Sequence, residues 1–180
     1  HLFETALISE DFESIENGYR QFIDLDSFID FFILNEFSKN PDGFRLSTYL
    51  HKEKGGKLKM GPIWDFDLAF GNVDYSVAEN PEGFWIKNGP WYKRLFEDPY
   101  FANLVRERLL YYDNNLNELF SKIDGFEEYL NLYQKKNYEI WQTLGKYVWS
   151  NPVYYDTHHE EVEHLKNWIE QRMTWLKTWL

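Results

Sequence analysis

The chain has 180 residues, of which 43% are hydrophobic and 27% are charged, a composition typical of a soluble globular protein rather than a disordered or fibrous one. Its net charge of −11 argues against nucleic-acid binding, because neutralising phosphates requires a surplus of basic residues. The absence of cysteine excludes disulfides and thiol nucleophiles, and no apolar run approaches the roughly 18 residues of a membrane span. No repeat or linker marks a boundary, so we expect a single domain over residues 1–180.

The first clear helix follows Asp26. Ser27 and Asp30 have the S-x-x-D spacing of a capping box, which predicts a helix start at this point. The apolar residues that follow leave few positions for water, so the helix is predicted to be buried. It should end near Asn40, because the residue before a proline disfavours the helical conformation.

A turn and a β-hairpin are predicted next. The run Asn40-Pro41-Asp42-Gly43 is typical of a turn, in which proline fixes φ and glycine permits a positive φ. Residues 45–51 and 57–63 form two extended runs, joined by a polar, glycine-bearing link. Two short strands joined in this way predict a hairpin.

The sequence predicts a long loop rich in Gly, Asn and Pro over residues 71–90, and helices in the second half of the chain. Asp98 before Pro99 predicts a helix N-cap, and Thr157 with Glu160 predicts a second capping box. Apolar residues recur at helical spacing after each start and in a third segment between them. The last helix carries one apolar side, formed by Val162, Leu165, Ile169, Leu176 and Leu180.

The segment 61–72, G-P-I-W-D-F-D-L-A-F-G-N, alternates with period two. An extended conformation would place Asp65 and Asp67 on one face and the aromatic residues on the other. Two aspartates on one face repel each other unless a cation lies beside them, and a hard cation with oxygen ligands would meet that need. The alternative is an exposed acidic strand end with an aromatic underside.

Asp42 adds a third carboxylate just before the predicted hairpin. Because a hairpin returns the chain, Asp42 and Asp65 could lie close together. The alternative is an ordinary structural role, since Asp and Asn are common turn residues.

Together these segments resemble the CotH kinase family, the spore-coat-protein-H-like atypical protein kinases. The resemblance is carried by the turn N-P-D-G-F-R-L-S, by the hairpin with G-K-L-K and by G-P-I-W-D-F-D-L-A-F-G-N. It is densest over residues 26–72, and the final helix, with E-H-L-K-N-W-I-E-Q-R-M-T-W-L, also resembles the C-terminal end of the family.

The resemblance implies a mainly α fold with a small β-hairpin (α+β), similar to the C-lobe of a protein kinase. It also implies transfer of the ATP γ-phosphate to Ser or Thr of a protein substrate, with Mg²⁺ or Mn²⁺. Asp65 corresponds to the kinase aspartate that holds the metal, with Asp67 assisting, and Asp42 to the catalytic aspartate. Ser47 stands where kinases place a metal-binding Asn, and Asn40 is the candidate to compensate at the cofactor site.

The resemblance further implies that an N-lobe is absent from this chain, because only about two dozen residues precede Asp26 and no G-x-G-x-x-G precedes the signature. The parent protein would then be the kinase, and the fragment alone would be inactive and bind ATP weakly. Family members of this kind favour an extracytoplasmic or cell-surface location.

A non-catalytic surface module that binds carbohydrate is the competing prediction. Aromatic residues make up 20% of the chain and can stack on sugar rings. Trp85, Trp91 and Tyr92, in or beside the loop, are the candidates. A cluster of histidines and glutamates over residues 158–164 lacks the H-E-x-x-H spacing and is interpreted as a solvated helix face.

Overall fold

A computed structural model describes residues 1–179. Six α-helices lie in this range: α1 Leu2–Ile8, α2 Leu25–Ser38, α3 Pro90–Leu95, α4 Pro99–Asn114, α5 Leu116–Trp141 and α6 His158–Lys177. Two strands, β1 Leu50–His51 and β2 Lys59–Met60, form an antiparallel pair. The prediction of a mainly helical fold with a small hairpin is confirmed. Among the described residues, no helix is both long enough and apolar enough to cross a membrane.

The chain divides into two units. The first contains His1–Phe66 and Phe84–Leu109, and the second contains Asp67–Gly83 and the chain from Leu110 onward. Helix α4 contributes residues to both. The single-domain organisation stays a prediction, because two such units can belong to one domain or to two.

In the first unit, α2 begins three residues earlier than its predicted capping box implies and has a different cap. Asp24 is the N-cap, and its Oδ1 accepts a hydrogen bond from the Ser27 amide at 2.9 Å. The predicted capping box of Ser27 and Asp30 is therefore wrong. The Ser27 hydroxyl instead accepts a hydrogen bond from the Met60 amide, and Asp30 forms an ion pair with Arg108. The spacing of Ser27 and Asp30 is compatible with a capping box. Asp24, three residues before Ser27, is an equally suitable N-cap.

Helix α2 ends as predicted, at the start of the Asn-Pro turn. Lys39 follows the last helical residue and has left-handed backbone dihedrals, with φ 45°. Its amide donates to carbonyls of the last turn, which satisfies groups that a helix end otherwise leaves unpaired.

Aromatic side chains form much of the core of this unit. Tyr92 lies fully buried against Phe32, with ring centroids 5.1 Å apart, and its hydroxyl donates to the Phe28 carbonyl at 2.9 Å. Burial raises the pKa of Tyr92 well above its usual value. The high aromatic content thus supplies packing area, since each ring can bury about 150–250 Å².

The predicted cap at Asp98 is confirmed. Its Oδ1 accepts a hydrogen bond from the Tyr100 amide at 2.8 Å at the start of α4. Its Oδ2 accepts from the Tyr19 hydroxyl at 2.7 Å and from the Arg20 guanidinium at 2.5 Å. With only 2% of its surface exposed, Asp98 therefore ties the Tyr19–Gln21 turn to α4.

The hairpin is shorter than the two runs predicted. Leu50 pairs with Met60 and His51 with Lys59, so each strand has two residues. Residues 45–47 are taken into the preceding turn, where their amides bond to the Asp42 carbonyl. The hairpin remains, but the first three residues of the first predicted strand shape that turn instead.

In the second unit, the capping box at α6 is confirmed. The Thr157 hydroxyl accepts from the Glu160 amide, and the Glu160 carboxylate accepts from the Thr157 amide. Of the predicted apolar side, Ile169 and Leu176 are buried, and Leu180 lies outside the described residues. The fully buried Arg172 donates from Nη1 to two backbone carbonyls of the loop over residues 81–83.

Candidate functional site

The turn around Asp42 has a closely defined backbone. The Asn40 Oδ1 accepts a hydrogen bond from the Asp42 amide at 3.2 Å, and the Asp42 carbonyl accepts from the amides of Arg45, Leu46 and Ser47 at 2.9 to 3.1 Å. The Asp42 side chain is half-buried, and its carboxylate makes no hydrogen bond within residues 1–179. A carboxylate on a fixed backbone and without a protein partner is available to a ligand.

The glycine of this turn has a different role from the one predicted. The left-handed conformation falls on Phe44, with φ 63°, and not on Gly43. Gly43 is required by close approach, because a Cβ there would lie 2.3 Å from the Asn35 Oδ1 of α2. A larger residue would displace the turn from the helix that supports it.

Two hydrogen bonds bring Asp65 to this turn. The Ser47 hydroxyl donates to Asp65 Oδ2 at 2.9 Å, and the Asn40 Nδ2 donates to the Asp65 carbonyl at 3.2 Å. Four of the predicted site residues, Asn40, Asp42, Ser47 and Asp65, are therefore joined in the first unit. Ser47 is buried and Asp65 is exposed, so the cluster runs from the protein interior to its surface.

The segment that carries Asp65 is not a strand, contrary to the period-two prediction. Residues 61–72 contain no strand, and Asp65 and Phe70 have positive φ of 67° and 56°. Positive φ interrupts an extended chain, so the alternation of side chains does not persist. Asp and Asn are the non-glycine residues that best tolerate this conformation, and such outliers concentrate at functional sites.

Asp67 belongs to the second unit. Its side chain is exposed, and its carbonyl accepts a hydrogen bond from Asn72 Nδ2 at 2.8 Å. It lines a cavity of about 440 Å³, together with Tyr138, Lys146 and His158. Concave sites with several converging polar groups are where small ligands usually bind.

The donor set in the first unit fits a magnesium ion that is held partly by a nucleotide. Mg²⁺ is usually bound through one or two carboxylates together with phosphates and water. Asp65 supplies one such carboxylate. No group of three or more His, Asp or Glu able to hold a metal occurs in residues 1–179, so an all-protein cage is not present there.

Sequence reasoning missed Glu36. Its carboxylate is only 2% exposed and accepts hydrogen bonds from the Trp85 amide at 2.7 Å and the Lys87 amide at 2.9 Å. The signal was a charged residue among the apolar residues of α2, because a charged side chain is rarely buried unless it has partners. Burial also lowers the pKa of Lys87, whose ammonium lies 4.0 Å from the centre of the Phe84 ring.

The aromatic residues proposed for sugar stacking do not form an exposed row. Tyr92 is a core residue, and Trp91 packs edge-on against Phe3 at 5.1 Å and Phe44 at 5.3 Å. Their sequence position in a loop region gave no indication of burial. Of the histidines, His159 contacts Glu127 on α5 at 2.9 Å.

The chain belongs to the CotH kinase protein family, whose match covers residues 2–176. This family implies a kinase-like function, ATP with a divalent metal ion and a protein substrate in general terms. No curated protein and no solved structure matches the chain. The similarity to a kinase C-lobe therefore stays a prediction.

Proposed function

We propose that the protein transfers the γ-phosphate of ATP to a Ser or Thr hydroxyl of a protein substrate, as an atypical protein kinase whose C-lobe is this chain. The joining of Asn40, Asp42, Ser47 and Asp65 in one hydrogen-bonded cluster supports this proposal. These four residues come from two segments 18 residues or more apart along the chain, and each matches a position of the family signature.

Each residue has a distinct role in the proposed site. Asp65 would hold the divalent cation, and the assisting role expected of Asp67 stays a prediction from the resemblance. The cation, when bound, neutralises charge on the phosphates. Asp42 orients the acceptor hydroxyl and takes its proton as the oxygen attacks the γ-phosphorus and the bond to the β-phosphate oxygen breaks, releasing ADP. Asn40 and Ser47 position the two aspartates.

The proposal is tested by Asp65→Asn in the full-length protein. Asparagine tolerates the positive φ and keeps the shape of the side chain, so the fold should persist. It removes the negative charge that would hold the cation. Transfer of ³²P from labelled ATP to dephosphorylated casein, with Mg²⁺, should fall by about 10² or more, as when a main electrostatic stabiliser is lost.

The matched control is Glu53→Gln, which makes the same change at an exposed carboxylate in the hairpin link of the same unit. It should keep wild-type transfer. Thermal unfolding of both variants should match that of the wild type. A folded Asp65→Asn variant with near-wild-type transfer would refute the role of Asp65.

A further inference from the structure

Helix α5 is unusual because none of its 26 residues is buried, although many are apolar. Its apolar residues recur alternately four and three residues apart, at Leu119, Ile123, Phe126, Leu130, Tyr133 and Ile140. Asn137 occupies the remaining position of the series. This is the heptad pattern of a coiled coil, with Leu119, Phe126, Tyr133 and Ile140 at d and Ile123, Leu130 and Asn137 at a. We call these seven residues the α5 seam.

The α5 seam is exposed over its C-terminal two-thirds. The exposed fractions are 64% for Phe126, 65% for Tyr133 and 59% for Ile140, and Tyr129 and Trp141 beside them are also exposed. At these exposed fractions, four aromatic side chains of about 150–250 Å² each and Ile140 together offer roughly 600 Å² of apolar area. That area lies at the lower end of the roughly 600–1,000 Å² that each partner contributes to a standard protein interface.

Helix α6 packs along the side of α5 next to the α5 seam, at b and e positions of the heptad. Lys166 of α6 pairs with Asp124 at 2.8 Å, and His159 pairs with Glu127 at 2.9 Å. These contacts fix the rotation of α5 about its axis and leave the a and d positions from Phe126 onward exposed.

We propose that α5 pairs with α5 of a second copy of this chain, as a parallel two-stranded coiled coil through the α5 seam. The single polar residue at an a position supports this choice, because one buried Asn specifies register and oligomeric state when it meets its counterpart. In a parallel pair Asn137 meets Asn137 of the other copy. In an antiparallel pair it would face an apolar residue.

The flanking charges also favour the parallel arrangement. Lys122 and Lys136 lie at g positions, and Glu127 lies at an e position. In parallel coiled coils g residues face e residues five positions further along the partner, which places Lys122 opposite Glu127. Antiparallel pairing places g residues opposite g residues and would bring lysines together.

Sedimentation equilibrium of the 180-residue chain tests the association. We expect a dimer that Tyr133→Glu weakens by at least about 30-fold in Kd, because it buries a charge at the centre of the interface. Tyr111→Glu is the matched control, since Tyr111 is similarly exposed but lies on α4. A monomer at 100 μM, or a dimer that Tyr133→Glu leaves unchanged, would overturn the proposal.

Orientation is tested by cross-linking, which the absence of native cysteine makes specific. Asn137→Cys should form an intermolecular disulfide under mild oxidation, because only parallel pairing brings the two positions within the roughly 4.4–6.8 Å between Cα atoms that a disulfide needs. Glu128→Cys, on the outer side of α5, should not cross-link. A dimer in which Asn137→Cys fails to cross-link, or links no faster than Glu128→Cys, would overturn the parallel arrangement.

Discussion

Replacing Gly71 by alanine should destabilise the second unit at the segment that carries Asp67. Gly71 is the glycine of the F-G-N end of the signature and has φ 81°. A Cβ at this position would lie 2.4 Å from Nε1 of Trp168, well inside van der Waals contact. That nitrogen donates a hydrogen bond to the Glu79 carbonyl at 2.8 Å, and the indole is almost fully buried. The methyl group therefore cannot be accommodated unless Trp168 moves.

The size of the effect follows from two contributions. A non-glycine residue in the left-handed region costs about 1–2 kcal/mol. Displacing Trp168 adds the loss of its hydrogen bond to Glu79, about 1 kcal/mol or more, because the carbonyl would be left without its partner. We expect Gly71→Ala to lower the free energy of unfolding by about 2–4 kcal/mol. For a chain of this size each kcal/mol changes Tm by about 2–4 °C.

The same substitution at Gly125 is a matched control with the opposite sign. Gly125 lies inside α5, and a Cβ there meets nothing within 4 Å. Gly125→Ala should raise stability by about 0.5–1 kcal/mol, since alanine is the better helix former. Urea unfolding followed by tryptophan fluorescence measures both. A Gly71→Ala variant within 1 kcal/mol of the wild type would refute the reasoning about the contact with Trp168.

Two further predictions concern buried polar groups of the first unit. Asp98→Ala should cost about 3–5 kcal/mol in urea unfolding, because it leaves a buried guanidinium and hydroxyl without their acceptor, whereas Glu97→Ala should cost less than about 1 kcal/mol. The raised pKa of Tyr92 contributes stability that is present below the usual tyrosine pKa near 10 and is lost as pH rises above it. Tyr92→Phe should therefore reduce the loss of stability between pH 10 and 11.5, by about 1.4 kcal/mol per pH unit at most. An unchanged alkaline profile, or equal losses for Asp98→Ala and Glu97→Ala, would contradict these expectations.

The helices could be predicted from the sequence because their signals are local. Thr157 and Glu160 lie three residues apart, and so do the groups that their side chains cap. The same locality explains the error at α2, where Asp24 and Ser27 compete for one cap and only tertiary contacts decide. Ser27 is drawn to the Met60 amide, 33 residues away, which no local pattern indicates.

The candidate site was predictable in part for a different reason. The family signature names the residues, but it carries no backbone geometry, so the extended conformation assigned to residues 61–72 rested on alternation alone. Alternation predicts a strand only if φ stays negative, and Asp65 does not satisfy that condition. Likewise, the burial of Glu36 depends on amides 49 and 51 residues away.

The cluster suggests how serine can occupy the position where kinases usually have a metal-binding asparagine. Ser47 is buried, and its hydroxyl donates a hydrogen bond to Oδ2 of Asp65. Asn40 uses its carbonyl oxygen for the Asp42 amide and its amide group for the Asp65 backbone. In the proposed site Ser47 therefore fixes the orientation of the Asp65 carboxylate, as outer partners of metal ligands commonly do, and Asn40 fixes the backbone of Asp42 and Asp65. Because Oδ1 of Asp65 accepts no hydrogen bond within residues 1–179, one oxygen of that carboxylate would be left for the cation in the proposed site.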